Sequence, residues 1–163
     1  MKKLGFLNKV VKEGKLNIVE PSNEICSSYL EKSENCLKSG KILLKNSLHE
    51  NSVSMFYYSM YNSVLALLFK VGVKSENHLA SILLIKELFE REDLFKIISF
   101  AKKERIDKQY YVSLENFLTK ESAFELLKES EKFLIHIKLL INNLKGEDIK
   151  KLRNKFNLLL KER

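Results

Sequence analysis

The stretch from Thr119 to Leu144 constrains the fold most, because its apolar residues recur at steps of three and four along its whole length. It opens on Thr119-Lys-Glu-Ser, a helix-start pattern, and Gly146 ends it. One face carries Ala123, Leu126, Leu127, Ser130, Phe133, Leu134, Ile137, Leu140, Ile141 and Leu144. A helix with so long an apolar face has to bury it against neighbouring elements.

Other parts of the chain show the same period and predict further helices. These are a short helix over residues 4–12 and longer ones over 24–45, 48–70, 76–90, 94–108 and 147–162. One proline and five glycines are too few breaks for an all-β chain, and no stretch shows sustained alternation. We therefore expect an all-α, antiparallel up-and-down bundle of four or five helices.

The pattern predicts one domain with two flanking segments. Residues 1–22 form an N-terminal extension with a short helix, residues 23–144 the bundle, and residues 145–163 a basic amphipathic helix. Ser22 and Asn23, after Pro21, predict the N-cap of the first long helix. The C-terminal helix could dock on the bundle, bind a partner, or contact an anionic surface.

The helix predicted for residues 48–70 is apolar on more than one face. Such a helix is either central in its bundle or shared with a second subunit. We expect a homodimer, because packing within one bundle should leave one side of this helix uncovered. The predicted interface contains Tyr57, Tyr58, Tyr61 and Leu65, with residues around His78.

The net charge of +8 is concentrated at the two ends of the chain. Residues 1–20 carry five Lys against two Glu, and residues 145–163 carry five Lys and two Arg against three acids. This distribution favours solvated charge or an acidic protein partner over a nucleic-acid groove across one face. No window is apolar enough for a membrane span, and the N-terminus lacks a signal-peptide pattern, so we expect a cytoplasmic protein with Cys26 and Cys36 reduced.

Several reaction classes lack their sequence motifs. The chain has no glycine-rich phosphate loop, no Cys/His pair at zinc spacing and no Glu-x-x-His on a predicted helix. We expect neither a metal nor a cofactor.

Among the three histidines, His78 is the functional candidate. It stands at the start of the helix predicted for 76–90, where the helix dipole favours a neutral imidazole that could act as a base or form a hydrogen bond. The same position could instead only cap the turn. His49 and His136 are interpreted as surface or boundary residues.

A second candidate is the polar stretch AKKERIDKQYYV, residues 101–112. Its guanidinium, carboxylate, amide and phenol groups could bind phosphate or stack on a base, or could tie the helix end to the bundle through an Arg105–Asp107 network. The candidate ligand-binding set is Lys74, His78, Arg105, Asp107, Gln109 and Tyr110.

The pattern Y-Y-S-M-Y at residues 57–61, followed by an apolar run, ENHLAS at 76–81 and R-x-x-x-x-Y from Arg105, resembles the HEPN domain family. The likeness spans roughly residues 23–144. The resemblance implies a helical bundle, usually homodimeric, often encoded beside a nucleotidyltransferase-fold protein. Some such pairs act as toxin and antitoxin, with a metal-independent ribonuclease that uses an arginine followed four to six residues later by histidine.

This chain departs from that ribonuclease pattern, because none of its arginines is followed by a histidine at that spacing. We therefore expect a non-catalytic module that binds a nucleotide, RNA or protein and is the partner of a nucleotidyltransferase-fold protein. The alternative is a divergent metal-independent ribonuclease toxin in which His78 and Arg105 converge as the catalytic pair. A third hypothesis is a structural protein whose basic tail docks an acidic partner.

Overall fold

The computed structural model describes the backbone of residues 2–110 and 120–161, and the side chains of residues 5–106 and 120–160. The described backbone contains two short strands, β1 (Leu16–Ile18) and β2 (Val73–Ser75). Its helices are α1 (Lys2–Lys12), α2 (Asn23–Lys45), α3 (His49–Lys70), α4 (His78–Glu87), α5 (Glu92–Tyr110), α6 (Lys120–Asn143) and α7 (Gly146–Lys161). The predicted all-α helical bundle is confirmed, with most predicted ends within two residues of those found.

Helix α3 is the centre of the bundle and packs against α2, α5 and α6. Small residues let α2 approach it closely: a Cβ on Gly40 would lie only 2.5 Å from an edge atom of the Phe56 ring. The Ser33 hydroxyl donates a hydrogen bond to the Ser59 carbonyl at 2.7 Å, so even the polar groups of this contact are paired. As predicted, Ser22 caps α2, accepting a bond from the Ile25 amide at 3.1 Å.

The burial of α3 corrects the argument for a shared face. Tyr57, Tyr61 and Leu65 are buried within the single chain, and Tyr58 is half-buried. The premise that one bundle leaves a side of α3 uncovered is wrong, because α2, α5 and α6 surround it. Of the two readings of a helix with several apolar faces, the central position is the one found.

The bundle also carries a two-stranded sheet that the sequence pattern did not reveal. Strands β1 and β2 pair antiparallel, with Leu16 opposite Ser75. Each strand has three residues, too short for an alternating pattern to stand out in the sequence. Gly72, with a φ of 75°, turns the chain from α3 into β2.

Helix α7 docks on the rest of the chain, one of the three uses predicted for it. Its Phe156 side chain is fully buried. The Arg153 guanidinium donates through Nη1 to the Val19 carbonyl at 2.6 Å, and lies 3.3 Å from the carbonyls of Val71 and Gly72. The basic helix therefore directs part of its charge at the chain's own backbone.

Within the described residues, no helix combines the length and apolarity that a bilayer crossing needs. Cys26 and Cys36 are free thiols.

Candidate functional site

The first turn of α4 places His78 beside the central helix. Asn77 is the N-cap, and its side chain accepts a hydrogen bond from the Ala80 amide at 3.0 Å. His78 is the first helical residue, and its ring stacks on Tyr61 with centroids 3.9 Å apart and planes 12° from parallel. The residue keeps access to solvent although one face of its imidazole is covered.

Tyrosines of α3 form the floor beneath His78. Tyr57 and Tyr61 lie one turn apart on the same face, and their rings stack at 6.1 Å. The Tyr57 hydroxyl lies 3.0 Å from Nδ1 of His78, within hydrogen-bond distance. Tyr61 is turned to a different partner, since its hydroxyl lies 3.4 Å from Oγ of Ser81.

A short chain of hydroxyl groups links this floor to the strand pair. The Ser81 hydroxyl donates a hydrogen bond to the Ser75 hydroxyl at 2.8 Å. The Ser75 hydroxyl in turn donates to the Asn77 carbonyl at 3.2 Å. Ser75 and Ser81 are buried, and these bonds satisfy their polar atoms. The position of Tyr61 is thus coupled to the start of α4 and to β2.

Helix α5 brings cations to the same tyrosines. The Arg105 guanidinium carbon lies 5.4 Å from the ring centroid of Tyr57 and 4.9 Å from that of Tyr58, both within cation–π range. Lys102 stands three residues earlier, on the same side of the helix. His78 and Arg105, which the sequence could not bring together, meet through Tyr57. We call Tyr57, Tyr58, Tyr61, His78, Lys102 and Arg105 the His78 cluster.

The surroundings keep the imidazole neutral. Partial burial lowers the pKa of His78, and the positive charges of Arg105 and Lys102 lower it further. Burial also raises the pKa of the Tyr57 and Tyr61 hydroxyls, so both stay protonated at neutral pH. The cluster therefore combines neutral hydrogen-bonding groups with two fixed positive charges, a set that suits an anionic oxygen.

A groove between α4 and α5 adjoins the cluster. It encloses about 320 Å³. Its lining is Leu79, Ile82, Ser99, Lys102, Lys103 and Ile106. Lys102 belongs to both the groove and the cluster, and Leu79, next to His78 in sequence, is 48% exposed at the rim. We call this cavity the α4–α5 groove.

The other residues predicted for the site have different positions. Lys74 lies on β2, where Val73 and Ser75 are buried, so its exposed side chain points to the opposite face of the strand and pairs with Glu76 at 2.7 Å. His136 is exposed on α6 and His49 is the first residue of α3. The side chains of Asp107, Gln109 and Tyr110 lie outside the described residues.

Three contributors were missed in the sequence: Lys102, Ser75 and Ser81. Lys102 precedes Arg105 by three residues and Ser81 follows His78 by three, a spacing that places each on the same helix face as its partner. That spacing was a usable signal for both. For Ser75 there was none, because its role depends on a strand too short to predict. Among the described residues, no three His, Cys, Asp or Glu side chains gather as metal ligands.

Comparison with known proteins places this architecture in a family. A search of curated proteins returned no significant match. The family model for the HEPN domain matches residues 26–140, which include α3, β2, α4 and the described part of α5 that carry the cluster. The match covers well over half of the chain and agrees with the resemblance of its tyrosine and histidine motifs. The chain belongs to the HEPN domain family.

Proposed function

We propose that this HEPN domain binds the phosphate group of a nucleotide, free or within single-stranded RNA, at the His78 cluster and does not cleave it. One observation carries the proposal: His78 and Arg105, from different helices, both contact Tyr57, with Lys102 on the next turn of α5.

The chemistry of the cluster favours phosphate over a simple carboxylate ligand. The planar guanidinium of Arg105 can donate two parallel bonds to two phosphate oxygens, and Lys102 adds a point charge. The α4–α5 groove shares Lys102 and has apolar walls at Leu79, Ile82 and Ile106. A planar base suits such walls, so a ligand with a phosphate on the cluster and a base in the groove fits both features.

The test is a binding titration with three probes: inorganic phosphate, adenosine monophosphate and a short single-stranded RNA. We expect Arg105→Met to weaken binding of the two nucleotide probes about ten-fold or more, since a charge-assisted bond is lost. For RNA it should also reduce the slope of the logarithm of the binding constant against the logarithm of the salt concentration by about one. Lys132→Met is the matched control, because Lys132 is exposed on α6 and pairs with Glu129. Equal binding by the two variants would contradict the proposal, and the RNA and mononucleotide arms separate the two ligand sources.

A second candidate function is metal-independent RNA cleavage with His78 and Arg105 as the catalytic pair. Its supporting observation is that His78 and Arg105 both contact Tyr57, a pairing able to exchange a proton with a ribose hydroxyl and to stabilise charge on phosphate. Cleavage of structured or unstructured RNA without metal, lost in a folded His78→Ala variant, would establish it. Intact RNA with the wild-type chain would leave the binding function.

Family membership also motivates two partner proposals. We propose that the chain forms a homodimer and associates with a nucleotidyltransferase-fold protein. Light scattering at micromolar concentration tests the first, and a monomer would contradict it. Co-purification with a nucleotidyltransferase-fold protein encoded beside it tests the second.

A further inference from the structure

The hydrogen bond between Tyr57 and His78 has a direction that the surrounding groups determine. A neutral imidazole carries one N–H and one acceptor nitrogen, and a phenol can donate or accept. With 3.0 Å between the Tyr57 hydroxyl and Nδ1, either group could be the donor. The choice fixes which nitrogen of His78 carries its proton.

The phenol proton needs an acceptor in either case. Tyr57 is fully buried, and a buried donor without an acceptor is disfavoured because it has lost its hydrogen bond to water. Among the described residues, Nδ1 of His78 is the hydrogen-bond partner found for this hydroxyl. The Arg105 guanidinium over the ring offers only donors. Losing the proton is also opposed, because burial raises the pKa of Tyr57.

We infer that the Tyr57 hydroxyl donates to Nδ1 of His78 and so fixes the tautomer that carries its proton on Nε2. Tyr57 is then a positioning residue that makes His78 a hydrogen-bond donor at Nε2. The imidazole has no lone pair left at Nε2 to accept a proton from a ribose hydroxyl. Where the proposed function holds, His78 supplies Nε2–H to a phosphate oxygen, and base-catalysed cleavage would first require the tautomer to change.

Tyr61 provides an internal control for this inference. Its ring covers the imidazole more closely than that of Tyr57, at 3.9 Å against 6.3 Å between centroids. Its hydroxyl, however, faces Ser81. Tyr61→Phe therefore removes a phenol oxygen next to His78 without removing the bond to Nδ1, whereas Tyr57→Phe removes that bond and keeps the ring.

The experiment is a long-range proton–nitrogen correlation spectrum of the full chain labelled with ¹⁵N-histidine, recorded above the titration of His78. His78→Gln assigns the signals against those of His49 and His136. In the wild type we expect Nδ1 to resonate as an unprotonated nitrogen that accepts a hydrogen bond, and Nε2 as a protonated one. Tyr57→Phe should shift Nδ1 and admit the second tautomer, whereas Tyr61→Phe should preserve the wild-type tautomer.

Two results would overturn the inference: a proton on Nδ1 in the wild type, or His78 signals unchanged by a folded Tyr57→Phe. The first result is measured on the wild type, so it tests the inference even if Tyr57→Phe fails to fold. No ligand is present in either measurement, so a failure of nucleotide binding would reject the proposed function without touching this inference.

A binding arm then tests the role of the donor with adenosine monophosphate as the probe. Glutamine offers an N–H donor but cannot serve as a base near neutral pH. His78→Gln should therefore bind within a few-fold of the wild type, and His78→Leu about ten-fold more weakly or worse. Equal loss in both variants would exclude the donor role.

Discussion

Replacing Arg153 by alanine should release α7 from the strand pair. Arg153 makes one short bond, to Val19, and two longer ones, to Val71 and Gly72, all from the same nitrogen. A nitrogen with two hydrogens cannot form three full bonds, so we count one strong charge-assisted bond and one shared weak one. A hydrogen bond to a charged group contributes about 1.5–3 kcal/mol, and Arg153 is half-buried, so water partly replaces it. The expected loss in the free energy of unfolding is about 2 kcal/mol.

Urea denaturation followed by circular dichroism measures this loss, and for a chain of this size it corresponds to a decrease in melting temperature of about 4–8 °C. Lys151→Ala is the control, because Lys151 is exposed on the same helix and alanine has a similar helix propensity. Arg153→Lys should recover part of the loss, since an ammonium keeps the charge without the planar fork. If Arg153→Ala destabilised the chain no more than Lys151→Ala, the carbonyl contacts would not anchor α7.

The remaining predictions concern His78 and the close approach of α2 and α3. Because burial and nearby cations lower the pKa of His78 below its usual 6.5, its contribution to stability is present above pH 6.5 and is lost as pH falls through the folded pKa. The free energies of unfolding of the wild type and of His78→Gln, measured over a pH series, should depend differently on pH only in that acidic range. Parallel curves of unfolding free energy against pH would contradict this. Arg105→Met should raise the pKa of His78 in an NMR titration, since one of the lowering charges is removed. Gly40→Ala should lower the free energy of unfolding, measured by urea denaturation, by about 1–3 kcal/mol, because the new Cβ overlaps with Phe56. Gly146→Ala is the control and should cause no such loss, since no atom lies within 4 Å of its new Cβ.

The helices could be predicted because their signal is local and repeated. In α6, the residues chosen from the period as its buried face include Ala123, Phe133 and Ile137, all of which are fully buried. The Ser22 cap was likewise readable, since its partner lies only three residues away. Such signals need no knowledge of the rest of the fold.

What the sequence could not supply depended on distant neighbours. The two apolar sides of α3 fitted a central helix or a shared one, and only the packing of α5 and α6 decided between them. His78 and Arg105 were both singled out, but their meeting at Tyr57 is a product of how α4 and α5 pack on α3. Lys74 lies outside the cluster because side chains alternate between the two faces of β2, and its neighbours Val73 and Ser75 are the buried ones.

The segment that the family model matches is smaller than the part of the chain that shares the hydrophobic core and the strand pair. The family pattern covers residues 26–140, yet Leu7 and Leu16 before it and Phe156 after it are fully buried in the same core. Backbone carbonyls at Val19 and Gly72 meet Arg153 from the far end of the chain. A segment cut at the boundaries of that match would expose apolar surface and would leave β2 without its partner strand. The flanks and the matched segment thus share one hydrophobic core, and a substitution in either changes the packing of the other.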